Sequence, residues 1–390
     1  MSFELQFLKN QDIVNQNQIL ELLDGAFGET RYSINTKTSF FTGYKSKYPN
    51  FLLLYKEKVL VGVAIIAQRL IKIFAQKINA ITVGPLAIGA HHQKKGYSKY
   101  LFSGLDKIAI KLNADLIYLQ GLDGFYSKYE FFPCLAKSKI EIHVKDLINV
   151  DQVIIKPFTD NYLKEVKNLY KQIAKNNNCT SYRNENNWLW LTKYAKQSYY
   201  HYRPFLIIDK NDVVGYFCSD PDDKSRLREV IYTTNYDKIA SFLFGIKQYA
   251  FKNNLSSVEI MTPPNSVLVK YIKKYSNGVF TQYIRPDGGE LMKIINYESL
   301  LKIIKKNMFY GAELDIIDIN DNIFFKLTNN NETNKIITFK CKKKHFPGII
   351  TGYLDSDVFF DYNYSGQNDF NIFKRNTNDL VPFIYQGDNY

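Results

Sequence analysis

The sequence predicts an α/β protein of more than one unit, and three observations carry that prediction. Its 390 residues exceed one ordinary compact core, so two or three domains are expected. The first segment runs as a helix, an antiparallel-looking meander and then strand–helix–strand, which is the order of a mixed sheet. A second strand–helix–strand order follows further along, and it predicts a degenerate structural repeat.

Each element has its own signal. Residues 13–27 place Ile19, Leu22, Leu23 and Ala26 at helical spacing, with Gly25 and Gly28 marking the end. The polar, aromatic stretch 29–50 has no clear period. Strands are expected at 51–55 and 59–68 around the charged turn Lys56-Glu57-Lys58, and then at 71–75 and 78–88, where β-branched residues suit a central strand. Helical spacing returns over 97–112 (Leu101, Leu105, Ile108, Leu112), and 116–119 reads as a strand. This first unit is placed at 1–148.

A second unit, 149–291, has a helix over 161–175. Strands at 205–208 and 213–218 flank the turn Asp209-Lys210-Asn211-Asp212, and a helix at 239–253 leads to a strand at 257–261. A third unit, 292–390, opens with a helix at 297–306. Short strands follow at 312–319, 323–327, 336–340 and 348–353, with a hairpin turn at Asn329-Asn330-Asn331-Glu332. The end of the chain, 382–390, is too aromatic for a free tail and is expected to dock.

The net charge of +13 rests on lysine, because only eight residues are arginine. It favours anionic partners, and three readings compete: a phosphorylated cofactor, nucleic acid, or a solvated lysine-rich surface. The last carries the most weight, since lysine usually solvates a face. The run Lys340-Cys341-Lys342-Lys343-Lys344-His345 lies between apolar stretches and reads as a strand end or turn, so a nucleic-acid partner is not expected. Four scattered cysteines form no CxxC pair and indicate neither a disulfide framework nor a zinc site, as in a reducing cytoplasm. With no signal-peptide pattern at the N-terminus and no run near the ~20 apolar residues of a membrane span, a cytoplasmic protein without a membrane partner is expected.

The chemistry concentrates in two stretches. In Val83-Gly84-Pro85-Leu86-Ala87-Ile88-Gly89-Ala90-His91-His92-Gln93-Lys94-Lys95-Gly96-Tyr97-Ser98 a strand runs into a short polar loop that opens a helix. Unpaired N–H groups and the positive dipole end at such a helix start suit a pyrophosphate. Gly96 lets the backbone approach phosphate, and Lys94 and Lys95 add charge. The second stretch, Gly121-Leu122-Asp123-Gly124-Phe125-Tyr126-Ser127-Lys128-Tyr129-Glu130-Phe131-Phe132-Pro133, follows the next strand.

Together these stretches resemble the signature motifs of the GNAT acetyltransferase superfamily. Gln93-Lys94-Lys95-Gly96-Tyr97-Ser98 is similar to the Q/R-x-x-G-x-G/A pyrophosphate loop, and Phe125–Pro133 is similar to the YYxRFGFxP run, at a spacing of about 30 residues. Ser98 and Glu130 stand where the family has glycine, and Gln93 where arginine is commoner. The resemblance implies that backbone groups of Leu86, Ala87 and Ile88 hold the pantetheine arm of acetyl-CoA. Gln93, Lys94, Lys95, Gly96, Tyr97 and Ser98 would hold its pyrophosphate, and Tyr126 would act as general acid toward the departing thiolate. A phenol with a pKa of ~10 is protonated and able to donate at neutral pH.

The whole chain further resembles the Eis-type acetyltransferases. That implies tandem GNAT-like mixed-sheet domains, the first catalytic and the second degenerate, followed by a sterol-carrier-like α+β domain. It also implies a homo-oligomer, commonly a hexamer, and a terminal carboxylate, here that of Tyr390, serving as base. His91 and His92 read as solvent-facing or near the cofactor, and Glu29 and Asp123 are alternative carboxylates. The expected activity is direct acetyl transfer to a primary amine, such as a polyamine, an aminoglycoside-like amine or lysine, with no metal needed. Two rivals remain open: an aminoacyl-tRNA-dependent tandem-GNAT transferase, and a non-catalytic apolar-ligand-binding or scaffolding protein.

Overall fold

The computed structural model describes residues 2–9, 16–28, 50–74, 76–135, 137–147, 149–150, 152–177, 179–185, 188, 203–220, 222–263, 266–276, 278–283, 289–308, 313–319, 321–328, 336–351 and 361–363. The first part of the chain forms β1 (Phe3–Lys9), α1 (Gln16–Phe27), β2 (Asn50–Lys56), β3 (Val59–Ile73), β4 (Gln76–Ile88), α2 (Ser98–Lys111), β5 (Leu116–Gly121), the short α3 (Asp123–Tyr126) and β6 (Phe132–Leu135). The middle forms β7 (Lys137–His143), β8 (Val153–Pro157), α4 (Leu163–Asn176), β9 (Thr180–Ser181), β10 (Arg203–Asp209), β11 (Asp212–Ser219), β12 (Arg226–Tyr232), α5 (Ile239–Lys252), β13 (Ser257–Met261), α6 (Val267–Tyr275) and β14 (Gly278–Tyr283). The last part forms β15 (Gly289–Ile294), α7 (Tyr297–Met308), β16 (Glu313–Ile319), β17 (Asn322–Thr328), β18 (Ile336–Lys342), α8 (Phe346–Thr351) and β19 (Asp361–Asn363).

Two mixed sheets repeat one plan. The first has the order β1-β2-β3-β4-β5-β15-β6 with β9 beside β3, and the second β14-β7-β13-β12-β11-β10-β8. All pairs in each are antiparallel except one, β4 with β5 in the first and β12 with β13 in the second. In both cases a long helix connects the parallel strands, α2 in one and α5 in the other, as a parallel pair requires a crossover. A third, antiparallel sheet runs β16-β17-β18-β19. The turn at 57–58 is tight enough to hold Glu57 and Lys58 at positive φ. No helix among the described residues is long and apolar enough to cross a membrane.

Three sequence expectations change. The runs expected at 59–68 and 71–75 join in one strand, β3, which ends at Ile73, and the described residues 348–351 are no strand. Instead α8 begins at Phe346 and is buried along its whole length. Such a short apolar run has no exposed face to display a period, and the β-branched Ile349, Ile350 and Thr351 suggest a strand equally well. The limits at 148 and 291 are crossed by strand exchange. β7 lies in the second sheet between β13 and β14, and β15 lies in the first between β5 and β6. Pairing partners are chosen by tertiary position, so local pattern cannot tell which sheet a strand enters. Sequence reading also passed over β1, β6, β7, β8, β9, β12, β14, β15 and β19, and the helices α3 and α6.

One core cluster ties the first sheet to the last part of the chain. Ile71, Ile78, Leu116, Tyr118 and Met292 pack with Leu300, Ile304, Phe346 and Ile349. Thr351 at the end of α8 donates to the Cys134 carbonyl of β6 at 2.5 Å. The opposite face of the sheet packs on α2 through Leu101, Phe102, Leu105 and Ile108.

Candidate active site

The site begins where two parallel strands part. β4 and β5 pair from Ala80–Leu116 to Val83–Leu119 and no further. Beyond that point β4 stays with β3, through Leu86 opposite Ala64 and Ile88 opposite Gly62. The register shifts at Gly84-Pro85, where β4 carries one residue more than β3. A bulge bends its strand, and a proline is tolerated there because it owes no hydrogen bond to the ladder. Leu86, Ala87 and Ile88 therefore present a backbone edge with no strand partner on the β5 side.

A cleft of about 440 Å3 lies along that edge. Leu86–Ile88 form one wall, the end of α1 (Ala26, Phe27) and Phe125 and Tyr126 of α3 others, and the loop before α2 closes it. The volume falls in the range of small-molecule sites. Of the residues expected to bind a cofactor, Leu86, Ala87, Ile88, Gln93, Lys94, Gly96, Tyr97 and Ser98 all line it. Lys95 does not; its ammonium turns back to the His91 carbonyl at 2.8 Å. Gln93 likewise folds onto the Ile88 carbonyl at 3.1 Å, fixing the loop to the end of β4.

The loop is shaped for an anion. Lys94 has φ 59 and Gly96 φ 75, so left-handed residues interrupt the chain just before the helix. Such alternation turns successive N–H groups toward one concavity. At Gly96 a Cβ would meet open space, so glycine answers to the dihedral and not to crowding. Tyr97 caps α2 without any side-chain hydrogen bond, and the first turn carries no acid. Its N–H groups and the positive end of a 14-residue helix thus face the cleft.

The equivalent turn in the second sheet carries a side-chain cap. Between β12 and α5, the Asn235 side chain accepts from Asp237 N at 3.0 Å, which places a carboxylate in that turn. The Tyr232 hydroxyl and Thr262 Oγ1, both buried, bond at 2.9 Å between the two parting strands. In the second unit, then, a side chain takes one N–H of the turn before the helix, and a tyrosine–threonine pair links the parting strands.

His92 lines the cleft half-buried, and burial first, then the charges of Lys95, Lys56 and His91, hold its pKa below the usual histidine value. A folded-state pKa below the unfolded value contributes stability above pH ~6.5 that is lost as pH falls. An anion in the loop opposes that lowering. An NMR titration of His92 is expected to give a pKa below 6.5 in the free chain, rising on saturation with inorganic pyrophosphate. An unmoved His92 would place the anion elsewhere.

Tyr126 stands at the other side. Its ring lies on Gly121 at the end of β5: a Cβ there would fall 2.7 Å from Tyr126 Cδ2 and 2.9 Å from Cζ. Phe125, Phe102 and Phe131 meet the ring edge-on at 5.0, 5.8 and 6.1 Å. Among the described residues its hydroxyl has no hydrogen-bond partner, and burial raises its pKa. It is a neutral phenol on the cleft wall whose proton goes to none of the described residues.

The two departures from glycine have local explanations. Ser98 shares a hydrogen bond of 2.8 Å with the Tyr129 hydroxyl. Glu130 adopts φ 66, ψ 25, the left-handed conformation for which glycine is the usual residue, and its carboxylate reaches Lys293 at 3.0 Å. The described lining includes no carboxylate. Glu29, Tyr390 and the aromatic stretch 40–44 lie outside the described residues, and Asp123 is placed at the start of α3. Sequence reading missed Phe27, Phe102 and Lys293, none of which carries a local signal, and it named Gly121 without its close approach to the Tyr126 ring.

No protein-family model matches the chain, and no curated protein matches it in sequence. Solved structures match along nearly its full length. A conserved Enterococcus faecalis protein described as a probable N-acyltransferase is 14% identical, with 98% of this chain and 99% of that chain covered, at a TM-score of 0.69. A GCN5-related N-acetyltransferase from Kribbella flavida is 9% identical over 98% of both chains, with a TM-score of 0.68. Eis1 from Mycobacterium abscessus is 10% identical over 100% of both, with a TM-score of 0.63. At such identities the likeness is one of fold: from end to end, this chain is folded like the GCN5-related N-acetyltransferases.

Proposed function

We propose that the protein transfers an acetyl group from acetyl-CoA directly to a primary amine. The observation that carries this reading is one cleft that joins a helix start without a side-chain cap, an edge of β4 and a protonated Tyr126, the last two unpaired among the described residues. The loop 93–98 takes the pyrophosphate on backbone N–H groups, and Leu86–Ile88 pair with the amides of the pantetheine arm. That pairing extends the sheet by one strand-like ligand and brings the thioester toward Tyr126.

The amine attacks the thioester carbonyl, the C–N bond forms and the C–S bond breaks. Tyr126 donates its proton to the leaving sulfur, and the nitrogen's proton goes to a base. Burial raises the phenol pKa, which keeps the proton on Tyr126 until the thiolate departs. The reading assigns the base to the α-carboxylate of Tyr390, with the Eis-like resemblance as its support. The same resemblance supports a degenerate second GNAT-like domain, a sterol-carrier-like last domain and a homo-oligomer in the cytoplasm.

The test is CoA release from acetyl-CoA against polyamines, aminoglycosides and lysine peptides, with the full chain and one lacking Tyr390. Turnover on one amine class that collapses in the shortened chain supports both the transfer and the base. Absence of turnover on every amine, with CoA bound, would refute the transfer. Gly121→Ala supplies a second check. The new methyl displaces the Tyr126 ring, and a misplacement near 1 Å is expected to lower kcat about 100-fold. Affinity for CoA should be little changed. Full activity in Gly121→Ala would show that the ring position does not matter.

A further inference from the structure

One face of α2 holds both halves of the site. Ser98, Phe102 and Asp106 recur at every fourth residue, so they form a stripe along the helix. At the first turn, Ser98 Oγ and the Tyr129 hydroxyl are 2.8 Å apart. One turn on, Phe102 stacks on Tyr129 at 3.8 Å with the planes 18° apart, and meets Tyr126 edge-on. A further turn on, Asp106 takes the Lys293 ammonium at 2.9 Å, and the same ammonium reaches Glu130 at 3.0 Å. The segment that carries Tyr126 is thus held at three levels of a helix whose N-terminus faces the phosphate-binding loop. The polar ties at its two ends run through Ser98 and Glu130, the residues that replace glycine.

We infer that Tyr129 is a positioning residue that links occupancy of the phosphate-binding turn to the placement of the Tyr126 hydroxyl. The inference rests on the proposed acyl transfer. An anion drawn onto the N–H groups at Tyr97 and Ser98 displaces the first turn of α2, and Ser98 passes that displacement to Tyr129. Tyr126 ends α3 and Tyr129 ends the 3-10 turn that continues it, so the two tyrosines share one short helical segment. Phe102, 3% exposed, fills the space beside both rings, so the movement cannot be absorbed by rotation of either. Lys293 holds the far end through Glu130. Donor binding thereby sets the acid in place before the acceptor arrives.

Tyr129→Phe keeps the ring on Phe102 and removes only the hydroxyl, and Ser98→Ala removes the other half of the bond. The full chain, labelled with 13C at the tyrosine ζ position, gives a Tyr126 signal assigned by its loss in Tyr126→Phe. That signal should move on saturation with CoA in the wild type and move less than half as far in either variant with CoA still bound. In the transfer assay each variant should lose about 5- to 10-fold in kcat, and the double variant no more than either, as for two ends of one interaction. An unaltered Tyr126 response in Tyr129→Phe, or losses that multiply in the double variant, would overturn the linkage. A wild-type chain that does not bind CoA would refute acyl transfer instead. Inorganic pyrophosphate then replaces CoA as the anion, and the same signal decides the linkage.

Discussion

Tyr126→Phe is expected to lower kcat for acetyl transfer by about 100-fold or more, the usual worth of a positioned proton donor. The substitution removes one oxygen and leaves the ring seated on Gly121 among Phe102, Phe125 and Phe131. Removal of the hydroxyl strands no partner among the described residues. Stability and CoA affinity should therefore be nearly unchanged, and the loss should fall on kcat. The pH profile supplies the sign. Burial raises the phenol pKa above its ordinary value, so the wild type should keep its proton donor through the usual phenol range and lose activity only on the alkaline side of it. That alkaline limb should be absent in Tyr126→Phe. If the variant keeps wild-type kcat, the thiolate obtains its proton elsewhere and Tyr126 is a packing aromatic.

The second large effect concerns the fold. A chain ending at residue 148 is expected not to form a stable catalytic unit, although it contains every described residue that lines the cleft. β15 supplies the partner of β5 on one side and, among the described strands, the only partner of β6. With it go Leu291, Met292 and Ile294, all buried, and the Lys293 tie to Asp106 and Glu130. At about 2 kcal/mol for each buried side chain, that loss alone is comparable with the whole stability of a typical domain. The face that packs on Leu300, Ile304, Phe346 and Ile349 would also be bare. Near-UV circular dichroism and thermal unfolding decide the matter. The short chain should show no cooperative transition, whereas one within a few degrees of the full chain's would show that strand exchange is dispensable.

Much of the site was legible because its chemistry is local. A phosphate-binding turn needs a strand end, a residue free to take positive φ and an uncapped helix start, and all of these are neighbours in Gly84–Ser98. The same holds for β5 and the aromatic run after it, which place Tyr126 one short helix beyond Gly121. The helices at 97–112 and 239–253 were visible because each has one buried face, which leaves a period in the sequence. The 348–353 segment failed for the opposite reason, since α8 is buried all round.

By itself, then, the sequence determined the mixed α/β class, the loop 93–98, the cleft wall at Leu86–Ile88 and the motif that carries Tyr126. All of these are set by dihedral preference, burial period and backbone donors within a few residues of one another. Only the tertiary structure decided that β15 completes the first sheet and β7 the second, that Lys293 clamps Glu130 to α2, and that Ser98 holds Tyr129. Those contacts join residues far apart in the chain, and each of them is chosen by which surfaces the folded elements bring together.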